Sequence, residues 1–325
     1  MKRNQFIQTV AGAGFMAILP INLKALLSSQ KGGLKFGVCA DIHKDIMHDS
    51  DFRLKTFIEK ASARDLDFII QLGDFCRPYK YNREFLSIWD KYVGDKYHVI
   101  GNHEMDGGFS RKDVIDFWDI PKQYYSVDTN GFHIIVLDGN DKNHSKDKAS
   151  GYARFIGKTQ MNWLKADLNS TKLPCIVFSH QTLENNDDGI ENRVEIREMF
   201  EAENRRVGFN KILACFSGHH HTDYVAEIND IYYIQINSMS YEWLGEKCKT
   251  IRYSAEIDEK YPYIKYTIPY KEPLFAFVEI SNKSIEIEGV KSSFVGPSPK
   301  ELGCPVRPEN KRIVPEITDR DLTLK

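Results

Sequence analysis

From Leu34 onward the chain alternates short, unbroken apolar runs with longer stretches in which apolar residues recur every three or four positions. The runs are rich in Ile, Val, Phe and Tyr. They predict strands at Leu34–Ala40, Asp67–Leu72, Tyr97–Ile100, Phe132–Leu137, Pro174–Ser179, Lys211–Ser217, Tyr224–Ile228 and Ile231–Ile236. The periodic stretches predict helices at Asp51–Ala63, Arg83–Val93, Arg111–Trp118, Thr159–Leu168 and Glu191–Asn204. In the fourth of these Thr159 is placed to cap, while Met161, Leu164 and Leu168 share a side. Several strand runs (FIIQL, HIIVL, CIVFS) are apolar at consecutive positions, the pattern of strands covered on both faces. Strands alternating with helices in this way predict an α/β fold. Further on, Leu274–Ile280 and Ser284–Glu288 read as a hairpin around Asn282-Lys283, and the Pro-rich, polar segment 292–325 reads as an irregular tail.

The first 30 residues stand apart. Met1-Lys2-Arg3 is basic, Val10–Leu19 is apolar, and a more polar segment follows Pro20, which is the pattern of an export signal over 1–30. The apolar stretch is too short to cross a bilayer, which needs about 20 residues. No integral membrane span is therefore expected in the mature chain, and the protein is expected to be exported, to the periplasm or beyond. Arg3–Gln8 resembles a twin-arginine signal in which Asn4 takes the place of the second arginine.

Composition narrows the function classes. The 325 residues are 42% hydrophobic, enough to bury a large core without staples. Lys and Arg number 44 against 46 Asp and Glu, a net charge of −2, so the basic excess that drives sequence-independent nucleic-acid binding is missing and no nucleic-acid partner is expected. The six cysteines contain no CxxC pair. Cys39, Cys175 and Cys215 lie in apolar runs and read as inert buried thiols, while Cys248 and Cys304 lie in more polar stretches where pairing stays open. The stretch 241–271 holds six tyrosines and Trp243, and reads as an insertion that either forms a lid or packs on the body.

The chemistry sits where apolar runs stop. Polar clusters follow five of them: Asp41-Ile42-His43, Gly73-Asp74, Gly101-Asn102-His103-Glu104, His180, and Gly218-His219-His220-His221. Ligands of an open α/β sheet bind beyond the carboxyl ends of its strands, so neighbouring strands would bring all five clusters together. The glycines would let the chain turn and approach closely there. Asp, Asn and His are N and O donors that suit Mn, Fe, Zn or Co. Seven of them are too many for one four-coordinate ion, and suit two divalent ions sharing a bridging carboxylate.

In this order the five clusters resemble the motifs of the calcineurin-like metallophosphoesterases. The motifs span residues 41 to 221, and with flanking strands the resemblance covers roughly 34 to 290. It implies an α/β domain over 31–291, built as a four-layer α/β/β/α sandwich. Two mixed sheets would be flanked by helices, with a dinuclear metal site at the strand C-terminal ends. It implies that Asp41, His43 and His221 hold one ion, Asp74 bridges, and Asn102, His180 and His219 hold the other. His103 would be no ligand but the general acid facing the leaving group. The implied reaction is hydrolysis of a small phosphorylated substrate, a phosphomonoester or phosphodiester, by a hydroxide bridging the ions. Arg77 stands where purple acid phosphatases carry a metal-binding Tyr. His103 stands where the lipid A pathway pyrophosphatases carry Arg. The GDxxDRG motif of the serine/threonine phosphatases is absent. DFIIQLGD, FHIIVLDGND and TQMNWLKADL are similar to stretches of class III cyclic-nucleotide phosphodiesterases and of manganese-dependent ADP-ribose/CDP-alcohol diphosphatases. The competing readings are a non-catalytic scaffold of the same fold and a nuclease. His48, His98, His133 and His144 fall outside the motifs and read as structural. His220 is expected to face away from the metals, because neighbouring extended residues point to opposite sides.

Overall fold

A computed structural model describes residues 33–145 and 148–325; the expected export signal over 1–30 lies outside the described residues. In chain order the elements are β1 (Leu34–Cys39), α1 (Ser50–Ser62), β2 (Phe68–Gln71), α2 (Arg83–Trp89), β3 (Asp95–His98), α3 (Arg111–Trp118), β4 (Tyr125–Thr129), β5 (Phe132–Val136), α4 (Lys158–Ser170), β6 (Cys175–Phe178), α5 (Arg193–Val207), β7 (Ile212–Ser217), β8 (Tyr224–Ile228), β9 (Ile231–Gln235), β10 (Tyr241–Trp243), α6 (Ala255–Lys260), β11 (Thr267–Pro269), β12 (Ala276–Ile280), β13 (Ser284–Gly289) and β14 (Arg320–Thr323).

Among the described residues the strands form two six-stranded mixed sheets and one small ribbon. The first sheet has the order β14-β13-β12-β1-β2-β3, with β1, β2 and β3 parallel and the rest antiparallel. The second has the order β4-β5-β6-β7-β9-β8, with β5, β6, β7 and β9 parallel. Antiparallel β10 and β11 make the ribbon.

The unbroken apolar runs are explained by what covers each face. On β2, Phe68 and Ile70 point into the core between the sheets, where they meet Phe178 and Phe216, while Ile69 points outward among Leu54, Phe57 and Trp89 of the helices on the first sheet. On β6, Ile176 and Phe178 point inward, while Cys175 and Val177 meet Leu164, Ile196 and Phe200 of α4 and α5. Helix, sheet, sheet and helix thus stack in four layers, with the central strands β1, β2, β5, β6 and β7 covered on both faces.

The sequence reading lacks β4, β10, β11 and α6 and places β3 two residues late, and two further departures concern a helix cap and the C-terminal segment. Helix α4 begins after Gly157, which supplies no side-chain cap, so Thr159 lies inside the first turn and is not the cap. The segment 292–325 is not irregular throughout. Arg320–Thr323 forms β14 on the edge of the first sheet, and Ile317 is fully buried in the inter-sheet core. Asn237 Nδ2 donates to the carbonyls of Val314 (2.8 Å) and Glu316 (3.1 Å), which secures the segment leading into that strand. Cys248 and Cys304 form a disulfide across 56 residues, with Cα atoms 6.0 Å apart, tying the 241–271 stretch to the C-terminal segment.

Candidate metal centre

Parallel strands all present their C-terminal ends to one side of a sheet, and five loops leave the two sheets there. The turn after β1 carries Asp41 and His43, and the turn after β2 carries Asp74. The segment after β3 carries Asn102 and His103, that after β6 carries His180, and that after β7 carries His219 and His221. To aim inward these residues adopt an uncommon backbone. Asp41, His43, Asp74, His219 and His221 have φ between 50° and 69°, and they are five of the ten non-glycine residues with positive φ among those described. Such conformations cost of order 1–3 kcal/mol each and persist only where the surroundings enforce them. Here the enforcement is visible. The Asp41 amide donates to Gly73 O (3.0 Å), the His43 amide to Asp74 O (2.8 Å), and the hydroxyls of Ser238 and Ser240 donate to the carbonyls of Asp41 (2.7 Å) and Ile42 (2.8 Å). Gly73 turns at φ 96°, where a Cβ would lie 2.6 Å from His180 Nδ1; a Cβ on Gly218 would overlap the Asp41 carboxylate.

The seven donors named from the sequence meet in two adjoining groups. In one, His221 Nε2 lies 3.0 Å from His43 Nε2 and 3.3 Å from Asp41 Oδ1. In the other, His180 Nε2 lies 3.3 Å from Asp74 Oδ2, 3.0 Å from Asn102 Oδ1 and 3.2 Å from His219 Nδ1. Asp74 Oδ2 joins the groups, being 3.7 Å from His43 Nε2 as well. Asp41, His43 and His221, and separately Asp74, His180 and His219, each offer one ligand atom within 4.8 Å of the others.

The donor set fits a pair of cations on chemical grounds. Asp41 and Asp74 are 0% and 3% exposed, and among the described residues the ion-pair partners of both are histidines, with no Lys or Arg. Buried carboxylates need positive charge beside them. The ring nitrogens of His43 and His221 face each other, a contact that needs a shared proton or a cation between. His180 is set in one tautomer, because its Nδ1–H donates to Leu72 O (2.8 Å) and turns the Nε2 lone pair toward the centre. Burial would raise the Asp74 carboxyl, but His180 and His103 beside it hold it well below its usual range.

His103 stands at the rim. Its Nε2 is 4.0 Å from Asp74 Oδ2, and its Nδ1 is 2.6 Å from Asp106 Oδ2. The sequence reading did not assign Asp106, Tyr152, Arg77 or Glu104. Tyr152 donates to Asp106 (3.1 Å), as does the Arg77 guanidinium (3.0 Å), so the carboxylate that orients His103 is itself fixed. Glu104 is buried and binds three loop amides: Gly101 (2.7 Å), Asp74 (3.2 Å) and Phe75 (2.6 Å). Burial, with Asp74 nearby, pushes its carboxyl up to about 8. Its role is to clamp the turns after β2 and β3 together. The signal for Glu104 was its place after Asn102-His103; Asp106 stands three residues from His103, within reach in one turn of chain. Tyr152 gave no sequence signal. His220 bonds the Asp187 carbonyl through Nε2 (2.7 Å) and is in neither donor group.

The tyrosine-rich stretch packs largely on the body. Tyr241 and Tyr270 are buried, and Tyr241 stacks on His43 with ring centres 5.0 Å apart. Tyr253 and Tyr261 pack on a cluster with Ile46 and Met47. Trp243 and Tyr263 border a cavity of about 660 Å³ above the donors, which also reaches His43, Asp74, His103, Arg77 and Tyr152.

The calcineurin-like phosphoesterase family profile matches residues 34–223. No curated protein sequence matches this chain. Among solved structures, a dimetal phosphatase from Danio rerio is similar with a TM-score of 0.57 and 14% identity, over 82% of this chain and 100% of that one. GAP50, the anchor in the inner membrane complex of Plasmodium, is similar with a TM-score of 0.56 and 17% identity, over 91% of this chain and 90% of that one. At these identities the structural likeness establishes the fold, two mixed sheets flanked by helices. Since the family profile covers more than half of its length and every strand-end motif is present, this chain belongs to the calcineurin-like phosphoesterases and is a phosphoric ester hydrolase.

Proposed function

We propose that the protein is an exported, dinuclear-metal hydrolase of small phosphoesters. Asp41, His43 and His221 hold one divalent ion, Asn102, His180 and His219 the other, and Asp74 is shared. The observation that carries this reading is the pair of buried donor groups joined through Asp74 Oδ2, 3.7 Å from His43 and 3.3 Å from His180. Two ions bound there supply charge neutralisation for phosphoryl oxygens and a water of near-neutral pKa. The all-N/O donor set suits Mn, Fe, Zn or Co. Arg77 is committed to Asp106, which weighs against an iron–tyrosinate pair at that position.

The chain's own residues do the rest. His103 presents Nε2 to the side where an ester oxygen would leave, and carries the proton that oxygen needs. Asp106 accepts from Nδ1–H and so keeps the ring in the orientation and protonation state for that transfer. The buried bases of the loops, tied by Glu104, keep the donors from relaxing away from one another. For export, support comes from the signal-like pattern of residues 1–30 and from the Cys248–Cys304 disulfide, a bond that persists in oxidising compartments. The scaffold reading is weakened by the complete donor set, since a scaffold has no use for seven converging ligands.

The test is metal analysis of the purified chain together with hydrolysis of p-nitrophenyl phosphate and bis-p-nitrophenyl phosphate, with Mn, Fe, Zn and Co supplied separately. Two ions per chain and turnover of at least one ester are expected. Protein that never holds two ions, or holds them and cleaves neither ester, would overturn the reading. N-terminal sequencing of the mature protein tests export, and an intact Met1 in the cytoplasm would exclude it.

A further inference from the structure

Among the described residues nine large apolar or aromatic side chains stand exposed, scattered over the surface, and three of them border the cavity of about 660 Å³ over the donor groups: Trp243 at 42%, Tyr263 at 58% and Tyr152 at 44% exposure. Isolated exposed aromatics need no explanation, whereas three converging on a pocket mark a binding surface. Trp243 is also held rigidly. It lies on β10, paired with Thr267 of β11, its ring packs against Tyr266 at 5.8 Å, and its carbonyl accepts from Arg307 (2.8 Å). Tyr241, two residues earlier on the same strand, stacks on His43, so Trp243 stands roughly 6.6 Å farther along from the ring that touches the donors. That is about the reach of a sugar placed between a phosphate and a flat ring.

Charge limits what else can bind. Among the described residues Arg77 is the one Lys or Arg bordering this cavity, and it is engaged by Asp106; Glu242 is engaged by Arg307. Among the described residues a second phosphate would find no unengaged Lys or Arg lining the cavity, and would lie near Asp106 and Glu242.

We propose that Trp243, with Tyr263 and Tyr152, forms a stacking subsite for an uncharged ring of the substrate, so that the preferred substrates carry one phosphoryl group on a ring-bearing alcohol such as a nucleoside or a glycoside. This rests on the phosphoesterase reading of the same site. Stacking of a base on an aromatic side chain is worth enough to change affinity about tenfold or more.

The experiment has two readouts. In the first, kcat/KM is measured on metal-loaded protein with adenosine 5′-monophosphate, glucose 1-phosphate, glycerol phosphate and adenosine diphosphate. Trp243→Ala should lower the ratio of ring-bearing to ring-less kcat/KM about tenfold, carried in KM, and Trp243→Phe should restore most of it. The nucleotide and sugar arms show which ring is preferred. An unchanged ratio in Trp243→Ala, or a preference for the diphosphate over the monophosphate, would overturn the proposal. In the second, intrinsic fluorescence is titrated with adenosine and with methyl glucoside, which need no hydrolysis. Trp89 and Trp118 are buried and Trp163 packs on Tyr124 outside the cavity lining, so saturable quenching that disappears in Trp243→Phe reports this ring. Quenching without any ester hydrolysis would retain the subsite and discard the phosphoesterase reading. Hydrolysis without quenching by either ligand would do the opposite.

Discussion

His133 and His180 belong to adjacent parallel strands of the second sheet, yet they sit at opposite ends of it. His133 is at the N-terminal end, on β5 beside Cys175 of β6. Both its nitrogens reach carboxylates, Asp128 at 2.6 Å and Asp167 at 2.8 Å. Nearby Lys211, fully buried, is satisfied by Glu203 (2.7 Å) and by the carbonyls of Leu168 and Thr171. His180 lies past the C-terminal end of β6, where Asp41 and Asp74 face histidines without a single Lys or Arg among their described ion-pair partners. One end of the sheet closes its polar groups on protein partners, and the other leaves donor atoms pointed into a common space. Polar groups closed on themselves serve stability, and groups held open on a strained backbone serve chemistry. Each substitution below tests that division.

The largest effect is expected from Asp74→Asn. It should bring turnover down at least about 10³-fold and metal content below two ions per chain, because both donor groups lose the negative charge of their shared carboxylate. Retention of two ions with full turnover would break the assignment of this end of the sheet. Next comes His103→Ala, expected to keep both ions and lower turnover by roughly 10²–10⁴-fold on an unactivated ester. The loss should shrink on p-nitrophenyl phosphate, whose leaving group needs no proton. Neither change should lower the unfolding midpoint as much as a change at the opposite end. There, Lys211→Met should cost about 3 kcal/mol in stability by leaving Glu203 short of a buried partner, while turnover per folded molecule stays within about twofold. Urea unfolding with metal-saturated activity measured in parallel checks the pair. A Lys211→Met protein that is stable but inactive would erase the distinction.

The same division explains what the sequence could reveal. The open end is spelled in residue types, because Asp, Asn and His, all N or O donors, recur just past the apolar runs. All seven donors are therefore legible without a structure. The strands beneath them are legible because coverage on both faces leaves uninterrupted runs such as FIIQ and CIVF. Edges are another matter. Tyr125–Thr129 (YSVDT) and Arg320–Thr323 (RDLT) are half-solvated edge strands whose polar residues read like loops, so β4 and β14 left no run to find. The 292–325 segment was misjudged for that reason. Asp106 and Tyr152 were missed for a different one: their work is to hold His103, and Tyr152 reaches it from 49 positions away, a contact written in tertiary packing and not in spacing. The Cys248–Cys304 pairing likewise depends on how the ribbon and the C-terminal segment are folded back together.

The smallest expected effect is also the sharpest on mechanism, because its sign depends on pH. Burial disfavours the His133 imidazolium, but its bonds to Asp167 and Asp128 outweigh burial and raise its pKa above the usual histidine value. Unfolded, the ring titrates near pH 6.5. Its contribution to stability is therefore complete below about pH 6.5 and is lost as pH rises through the folded-state value. His133→Gln should cost about 1 kcal/mol at pH 5.5, a modest figure because Asp128 is 63% exposed, and less at pH 9. His98 provides the opposite case. Burial, helped by Lys96, lowers its pKa to about 3, and its neutral ring accepts from Gln71 Nε2 at 3.0 Å. Its contribution is present above about pH 6.5 and fades as pH falls from there toward 3. The cost of His98→Gln should consequently shrink toward acid, while that of His133→Gln grows. Denaturant unfolding of both variants at pH 5.5 and 9 gives the two slopes directly. If the cost of His133→Gln fails to grow toward acid, the closed end of the sheet is not held by a charged histidine, and the contrast with His180 loses its electrostatic basis.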